Sequence, residues 1–280
     1  MYQRSGADKS NPLPAGIGVE GAGVIEALGP EATGFSVGDR VAYIGGPAGA
    51  YSELRNIPIA RLVKLPDWIT DEIAAATIFK GLTAEYLIHR CVPVQADQWV
   101  LFHAAAGGVG SLACQWLRAT GARVIGTVGS EEKIEIARAN GCEHVFLSHD
   151  PDLAQKVRDL SGGVHVVYDS IGADTFIASL DSLRPRGSMV SIGAASGPPP
   201  EVNVGELVRR GSLHLTRPSI AHYTADPLEY QEASNRLFDA LKEGSVQPAK
   251  ITEFTLSDAA NAQRLIEARK TTGSVVLRPN

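Results

Sequence analysis

Residues 104–110 of the chain, Ala104-Ala-Ala-Gly-Gly-Val-Gly110, have types and spacing that suit the capture of a diphosphate. The apolar run Trp99, Val100, Leu101 and Phe102 leads into them. An amphipathic segment follows, with Leu112, Cys114, Trp116 and Leu117 among its apolar positions. The pattern predicts a strand, a tight glycine turn and a helix, which together aim the backbone N–H groups of a helix N-terminus at an anion. Gly107 lets the backbone approach the phosphates, and Gly110 lets the helix pack close to the strand. Ala105 stands where the first glycine of G-x-G-x-x-G usually falls, so the motif reads A-x-G-x-x-G. Packing alone also selects small residues in such turns, so the motif needs a second sign.

That sign is a second strand ending about 20 residues further on. Arg123–Val128 fits, and Ser130 lies 20 residues after Gly110. A site for NAD usually places Asp or Glu there to bind the ribose 2′-hydroxyl. Here the strand runs out in Val128-Gly129-Ser130, where a hydroxyl and a small residue suit a 2′-phosphate better. Lys133, one helical turn on, either supplies positive charge or is a solvated helix residue, and Glu131 and Glu132 argue the other way. The balance favours NADP(H) over NAD(H). No Ser-Tyr-x-x-x-Lys constellation or carboxylate dyad accompanies the turn. His103 reads as a packing residue, and Asp169 as a structural or ribose-side group rather than a base.

Regular elements must hold these groups. Residues 17–65 read as β-rich, with apolar or alternating runs at 17–28, 39–44 and 50–56 separated by Gly/Pro turns. Thr70 is a fitting N-cap for a long apolar helix to about His89, with Asp71 and Glu72 in its first turn. From Gln98 to Gly193, strands at 99–103, 123–127, 144–148, 164–169 and 188–193 alternate with helices to 120 and over 131–140, 152–160 and 174–183. Such alternation calls for a parallel sheet covered on both faces, and right-handed crossovers make it doubly wound. The tail carries a strand-like segment at 213–216, a helix at 227–242, and two short strands flanking a helix capped by Ser257. The two flanking pieces are too small to stand alone, so they are expected to pack as one discontinuous domain around the α/β core.

Composition narrows the classes of function. The 280 residues are 44% hydrophobic and 20% charged, an ordinary globular balance. A net charge of −5 disfavours a nucleic-acid partner. The sequence has no apolar run long enough to span a membrane, and its polar first residues are not expected to act as a secretory leader. The three cysteines, Cys91, Cys114 and Cys142, are far apart and read as small hydrophobes in a reducing compartment, so a cytoplasmic location is the expectation.

Six elements in order now resemble the quinone oxidoreductase (zeta-crystallin-like) branch of the medium-chain dehydrogenase/reductase superfamily. They are Gly18-Val-Glu-Gly-Ala-Gly23, Gly38-Asp-Arg-Val41, Lys80-Gly-Leu-Thr83, His103–Gly110, Tyr168-Asp-Ser170 and Thr216-Arg-Pro-Ser219. The resemblance implies an α/β fold in which a Rossmann doubly wound parallel sheet, residues 79–219, is inserted in a GroES-like β-rich catalytic domain, residues 1–78 and 220–280. It implies an active site in the cleft between them, and a homodimer joined through a sheet edge at 212–216.

The resemblance also implies roles for individual residues. Lys80 and Thr83 match positions beside the nicotinamide. Ala106, Gly107, Gly108, Val109 and Gly110 match the diphosphate turn, and Ser130 and Lys133 the 2′-phosphate contacts. Ile192, Arg217 and Arg269 match further cofactor contacts, and Tyr2 a tyrosine flanking the nicotinamide and quinone pocket. Ser148 stands where the family often has a tyrosine near the adenosine phosphate. Lys80, Tyr2 or a water are the candidate proton donors.

Two departures qualify the resemblance. Zinc-dependent relatives carry Gly-His-Glu where this chain has Gly18-Val19-Glu20, and they have a four-cysteine lobe that three isolated cysteines do not supply, so no metal is expected. Family members also have strands, and a site-lining Asn, before the stretch matching Tyr2–Gly6. The expectation is therefore an N-terminally incomplete catalytic domain of lowered stability or altered association. The implied activity is zinc-independent reduction of a quinone by NADPH. Two other readings stay open: NADPH-dependent reduction of an enone or alkenal double bond, and NADPH binding without turnover in a structural role.

Overall fold

The computed structural model describes residues 14–268, 271 and 273–279 of the chain. They fall into two compact units: residues up to 82, 224–239 and from 248 on form one, and residues 83–223 and 240–247 the other.

In the first unit, β1 (Glu20–Val24), β2 (Arg40–Ile44) and β3 (Leu62–Lys64) make an antiparallel sheet in that order. Ile25, Val41, Tyr43 and Leu62 bury one face. The run at 50–56 is not a strand but a series of bends. Its start instead bonds to the segment before β1, with Ala50 N donating to Gly18 O at 3.2 Å and Tyr51 N to Ile17 O at 3.1 Å. The run at 17–28 shortens to β1, because Gly18 turns the backbone to φ +89° before it. The helix Asp71–Tyr86 starts as expected, with Thr70 Oγ1 accepting from Ile73 N at 3.3 Å. It ends three residues before His89 by widening into a π-turn, Leu87–Cys91, in which Val92 N donates to Leu87 O at 3.3 Å.

The second unit carries β4 (Trp99–Phe102), β5 (Arg123–Val128), β6 (His144–Leu147), β7 (Val164–Asp169), β8 (Leu183–Ser191) and β9 (His214–Thr216). All pair in parallel in the order β6-β5-β4-β7-β8-β9. The order reverses between β4 and β7, which is the doubly wound arrangement with its switch point beside the glycine turn. Every residue of β4 is buried, as a central strand covered on both faces requires. One face packs Leu101, Ile125, Val167 and Met189 against Val157, Phe176 and Leu180 of the helices Leu153–Ser161 and Phe176–Asp181. On the other, Phe102 and Tyr168 pack their rings 5.3 Å apart, and the Tyr168 hydroxyl donates to Leu87 O at 3.0 Å.

The helix Pro227–Glu243 returns the chain to the first unit, where its buried Tyr230 hydroxyl accepts from Ile44 N and donates to Arg61 O, each at 3.2 Å. Gly81 and Leu237 meet so closely that a Cβ on Gly81 would lie 2.4 Å from Leu237 Cδ1. Strands β10 (Ile251–Thr255) and β11 (Ser274–Arg278) pair in parallel. The helix between them is not capped by Ser257. That residue sits inside a 3₁₀ turn, Leu256–Asp258, and its hydroxyl meets Thr255 Oγ1 at 3.0 Å. Among the described residues, no helix is long and apolar enough to cross a membrane.

Candidate functional site

The turn after β4 is built by close contact. Gly107 N donates to Ala104 O at 2.8 Å, and Ala104 takes φ +55°, unusual for a residue with a side chain. A Cβ on Gly110 would lie 2.3 Å from Ala104 O and 2.9 Å from Ala105 Cα, and one on Gly107 would lie 3.0 Å from Ala104 O. The helix Gly108–Ala119 begins at once, with Gly107 as its N-cap and no side-chain cap bond. The first-turn N–H groups of a helix have no partner within it. Here Gly107 brings no side chain to them, which leaves a cradle for an anion. The residues present therefore fit a diphosphate.

Most of the other sequence-predicted contacts reach the same edge of the sheet. Ala106–Gly110 follow the end of β4, Ser130 and Lys133 that of β5, Ser148 that of β6, Ile192 that of β8 and Arg217 that of β9. Because these strands are parallel, all their C-terminal ends lie along one side, the side where open α/β sheets bind ligands. The partners of these residues are specific. Ser130 Oγ donates to Glu132 Oε1 at 3.1 Å. Arg217 donates to Ser191 Oγ at 2.8 Å and to Gly193 O at 3.2 Å. Ile192 N donates to Asp169 O and Ser148 N to Val128 O, at 2.7 and 2.8 Å. Lys133 is half-buried in the short 3₁₀ turn Glu131–Lys133.

Lys80 and Thr83 stand on the helix Asp71–Tyr86, three residues apart. Lys80 Nζ donates to Ala76 O and to Ser274 Oγ, each at 3.2 Å, while Thr83 is nearly buried. Glu20 lies within electrostatic reach of Lys80, and its Oε2 is buried without a hydrogen-bond partner. Burial raises its carboxyl above the usual carboxylate range, against the pull of Lys80 and a backbone bond at Phe79. Tyr2 and Arg269 lie outside the described residues.

Beneath the turn runs a buried polar chain that the linear spacing does not reveal. His103 Nδ1 lies 2.9 Å from Thr127 Oγ1, and its Nε2 lies 3.0 Å from Ser179 Oγ. Ser179 Oγ donates to Asp169 Oδ2 at 2.7 Å. A hydroxyl has one proton, so Ser179 accepts from Nε2–H, and Nδ1 accepts from Thr127. Thr175 Oγ1 and the N–H groups of Ile171 and Gly172 complete the shell of Asp169 at 2.8–3.0 Å. Burial pushes the His103 imidazole below its ordinary value, against the opposing charge of Asp169. The sequence did hold a signal for the partners: Thr127 and Ser179 are polar residues inside apolar runs.

Val19, apolar, precedes Glu20, and among the described residues no three His, Cys, Asp or Glu side chains gather where they could hold an ion.

Comparison with known proteins accords with this geometry. The family described as "Zinc-binding dehydrogenase" matches residues 108–239, and the "Alcohol dehydrogenase GroES-like domain" matches residues 1–67. Quinone oxidoreductase of Pseudomonas aeruginosa is 47% identical over 99% of this chain and 86% of its own length. A 2-haloacrylate reductase from Burkholderia is 44% identical, with the same coverage of both chains. Among solved structures, quinone oxidoreductase from Pseudomonas syringae superposes with a TM-score of 0.95 at 48% identity, covering 99% of this chain and 86% of that one. The Escherichia coli quinone oxidoreductase complexed with NADPH does so with a TM-score of 0.95 at 42% identity and the same coverage. The parallel sheet is thus a Rossmann domain set within a GroES-like one, and the chain belongs to the quinone oxidoreductase branch of the medium-chain dehydrogenase/reductase superfamily.

Proposed function

We propose that this chain is a zinc-independent reductase that reduces a quinone with NADPH. The observation that carries the reading is the C-terminal edge of the parallel sheet, where the uncapped Gly108 helix, Ser130 and Lys133 follow successive strand ends. The E. coli relative crystallised with NADPH supports the choice of cofactor. Bound there, NADPH would supply a hydride to an electron-poor carbonyl system. The chain's own residues bind and orient. The N–H groups of Gly108 and Val109 face the diphosphate. Ser130 Oγ and Lys133 Nζ hold the 2′-phosphate, and Arg217 adds positive charge further along the edge. Reduction to the hydroquinone also takes a proton, and Lys80 Nζ, the Tyr2 hydroxyl or a water are its candidate donors, with Thr83 beside the nicotinamide. Val19 in place of a ligand, and the lack of converging donors among the described residues, support the zinc-free reading.

A second acceptor class has an observation of its own. The Burkholderia relative is a 2-haloacrylate reductase, which by name acts on an activated alkene. NADPH consumption against a panel of quinones and enones decides between them. Turnover with quinones is the expected outcome, turnover with enones alone reverses the order, and nucleotide binding with no turnover points to a non-catalytic role.

We also propose a homodimer. Strand β9 is one of the two edges of the six-stranded sheet. Beside it Leu213 N donates to Leu207 O at 3.0 Å, tying the strand to the helix Val204–Arg209, whose Val204 and Val208 are 74% and 68% exposed. An open edge with apolar neighbours suits pairing across a two-fold axis. Sedimentation of the chain as a monomer would count against it.

A further inference from the structure

A dinucleotide lies across the switch point of such a sheet, one mononucleotide on each side. With the adenosine ribose past β5 and the diphosphate at the turn after β4, the nicotinamide half falls past β7 and β8. Two loops stand there, residues 170–173 and 192–197, and they are fastened to each other. Ser196 N donates to Ile171 O at 2.8 Å, Ala173 N to Gly197 O at 3.2 Å and Ala195 N to Ser170 O at 3.3 Å. A Cβ on Gly172 would lie 2.4 Å from Gly197 O, and one on Gly193 would lie 2.4 Å from Ser170 O. The pair is too close for either loop to shift alone.

Asp169, the last residue of β7, holds this pair from beneath. Its Oδ1 accepts from Ile171 N at 2.8 Å and from Gly172 N at 3.0 Å. Its backbone O accepts from Ile192 N at 2.7 Å and from Gly193 N at 3.3 Å. One residue thus ties both loops to the sheet. It is 1% exposed, and the donors to its side chain are backbone amides and the hydroxyls of Thr175 and Ser179, none of them charged. A buried carboxylate met by neutral donors is a costly way to fill a core position. What it secures lies at the ligand edge: two loop amides and, through Ser179, the His103 ring below the diphosphate turn.

We propose that Asp169 is a positioning residue for hydride transfer: it sets the loops after β7 and β8, against which the nicotinamide half of the nucleotide is oriented. The proposal rests on the reading that the nucleotide lies along this edge, and it deepens that reading by naming the residue that aligns the reacting end. Buried as it is, Asp169 acts through the loop backbone. Such an effect is read in the chemical step and in binding of the nicotinamide half, not in binding of the adenosine half.

The test compares Asp169→Asn with Ser179→Ala, which removes a buried bond of the same chain but none from the loops. Calorimetry with adenosine 2′,5′-bisphosphate reads the adenosine half, and NADPH fluorescence reads the whole nucleotide. Asp169→Asn is expected to weaken NADPH about tenfold, to leave the bisphosphate within about twofold, and to lower kcat with a quinone about tenfold or more. Ser179→Ala is expected to lower the melting temperature while keeping the wild-type ratio of the two affinities. Thr175→Val keeps the carboxylate but removes the hydroxyl that meets both its oxygens, so it should show a milder form of the Asp169→Asn pattern and carries the test if that variant does not fold. Equal weakening of both ligands in the variant used, an NADPH affinity and kcat that both stay unchanged, or the same ratio shift in Ser179→Ala overturns the proposal. Failure of the wild type to bind either ligand would instead overturn the nucleotide site itself, a result distinguishable because it removes the signal from the unaltered protein.

Discussion

Ala105 and Gly126 form a single fit across the β4–β5 pair: a Cβ built on Gly126 would lie 2.8 Å from the Cβ of Ala105. The same atom would lie 2.7 Å from Cys142 Sγ. The chain has a methyl where nucleotide-binding turns usually have a hydrogen, and it has a hydrogen on the facing strand where a side chain would ordinarily stand. Gly126→Ala should therefore cost about 1–3 kcal/mol by overpacking. Adding Ala105→Gly should recover part of the loss, with the Cys142 contact setting the limit. Denaturant melts of both singles and the double close the cycle, and strictly additive effects would show that the two positions do not share the space.

Gly110 is the position in the turn least tolerant of a side chain, because its neighbours are backbone atoms that cannot rotate away. Gly110→Ala should weaken nucleotide binding on the order of tenfold to a hundredfold, by displacing the helix start that faces the diphosphate. Gly107→Ala, whose added carbon meets Ala104 O at 3.0 Å, should cost less. Fluorescence titration of the two variants gives the ranking directly, and equal losses would count against the close-approach argument.

His103 should make stability depend on pH in one direction. Its ring is buried, and its folded-state pKa is depressed. Below about pH 6.5 the unfolded chain takes up a proton that the native ring resists, so stability falls as the pH drops through that value, by up to about 1.4 kcal/mol per pH unit. His103→Gln removes the titration and breaks the chain of hydrogen bonds. It should be less stable than wild type at neutral pH by about 1–3 kcal/mol, with a gap that narrows toward pH 5. Chemical denaturation across that range checks both parts.

Glu20 predicts the opposite slope. Burial raises its carboxyl, so the native state holds a proton that the unfolded chain releases near pH 4.5. Its contribution is then present below that pH and is lost as the pH rises. Glu20→Gln keeps the neutral form at every pH, so its stability relative to wild type should grow from pH 4 to pH 7. A gap that shrinks instead would mean that attraction to Lys80 outweighs burial.

The parallel sheet was legible in the sequence because its strands and helices alternate strictly and the strand β4 at its centre is apolar throughout. Val164–Asp169 matches its expected bounds residue for residue. The smaller unit was harder. Residues 50–56 have the composition of a strand but form bends, whereas Leu62–Lys64 is too short to announce itself and still pairs with β2. The helix Val204–Arg209 did leave a mark, since Asn203 and Glu206 have capping-box spacing and the Asn203 side chain accepts from Gly205 N at 2.9 Å. The strand-end positions were readable from spacing and resemblance. The bonds that qualify them, Ser130 to Glu132 and Lys80 to Ser274, were not, because which acceptor a flexible side chain reaches depends on three-dimensional neighbours.

The uncapped start of the Gly108 helix has a consequence outside the reaction. A folded chain that leaves those N–H groups for an anion is less stable empty than filled, and bound nucleotide adds RT ln(1 + [L]/Kd) to its stability. Under the proposed function, the population open to proteases rises when reduced nucleotide is scarce. The lifetime of the protein would then track the reducing supply it draws on, with Gly107 as the residue that sets the coupling.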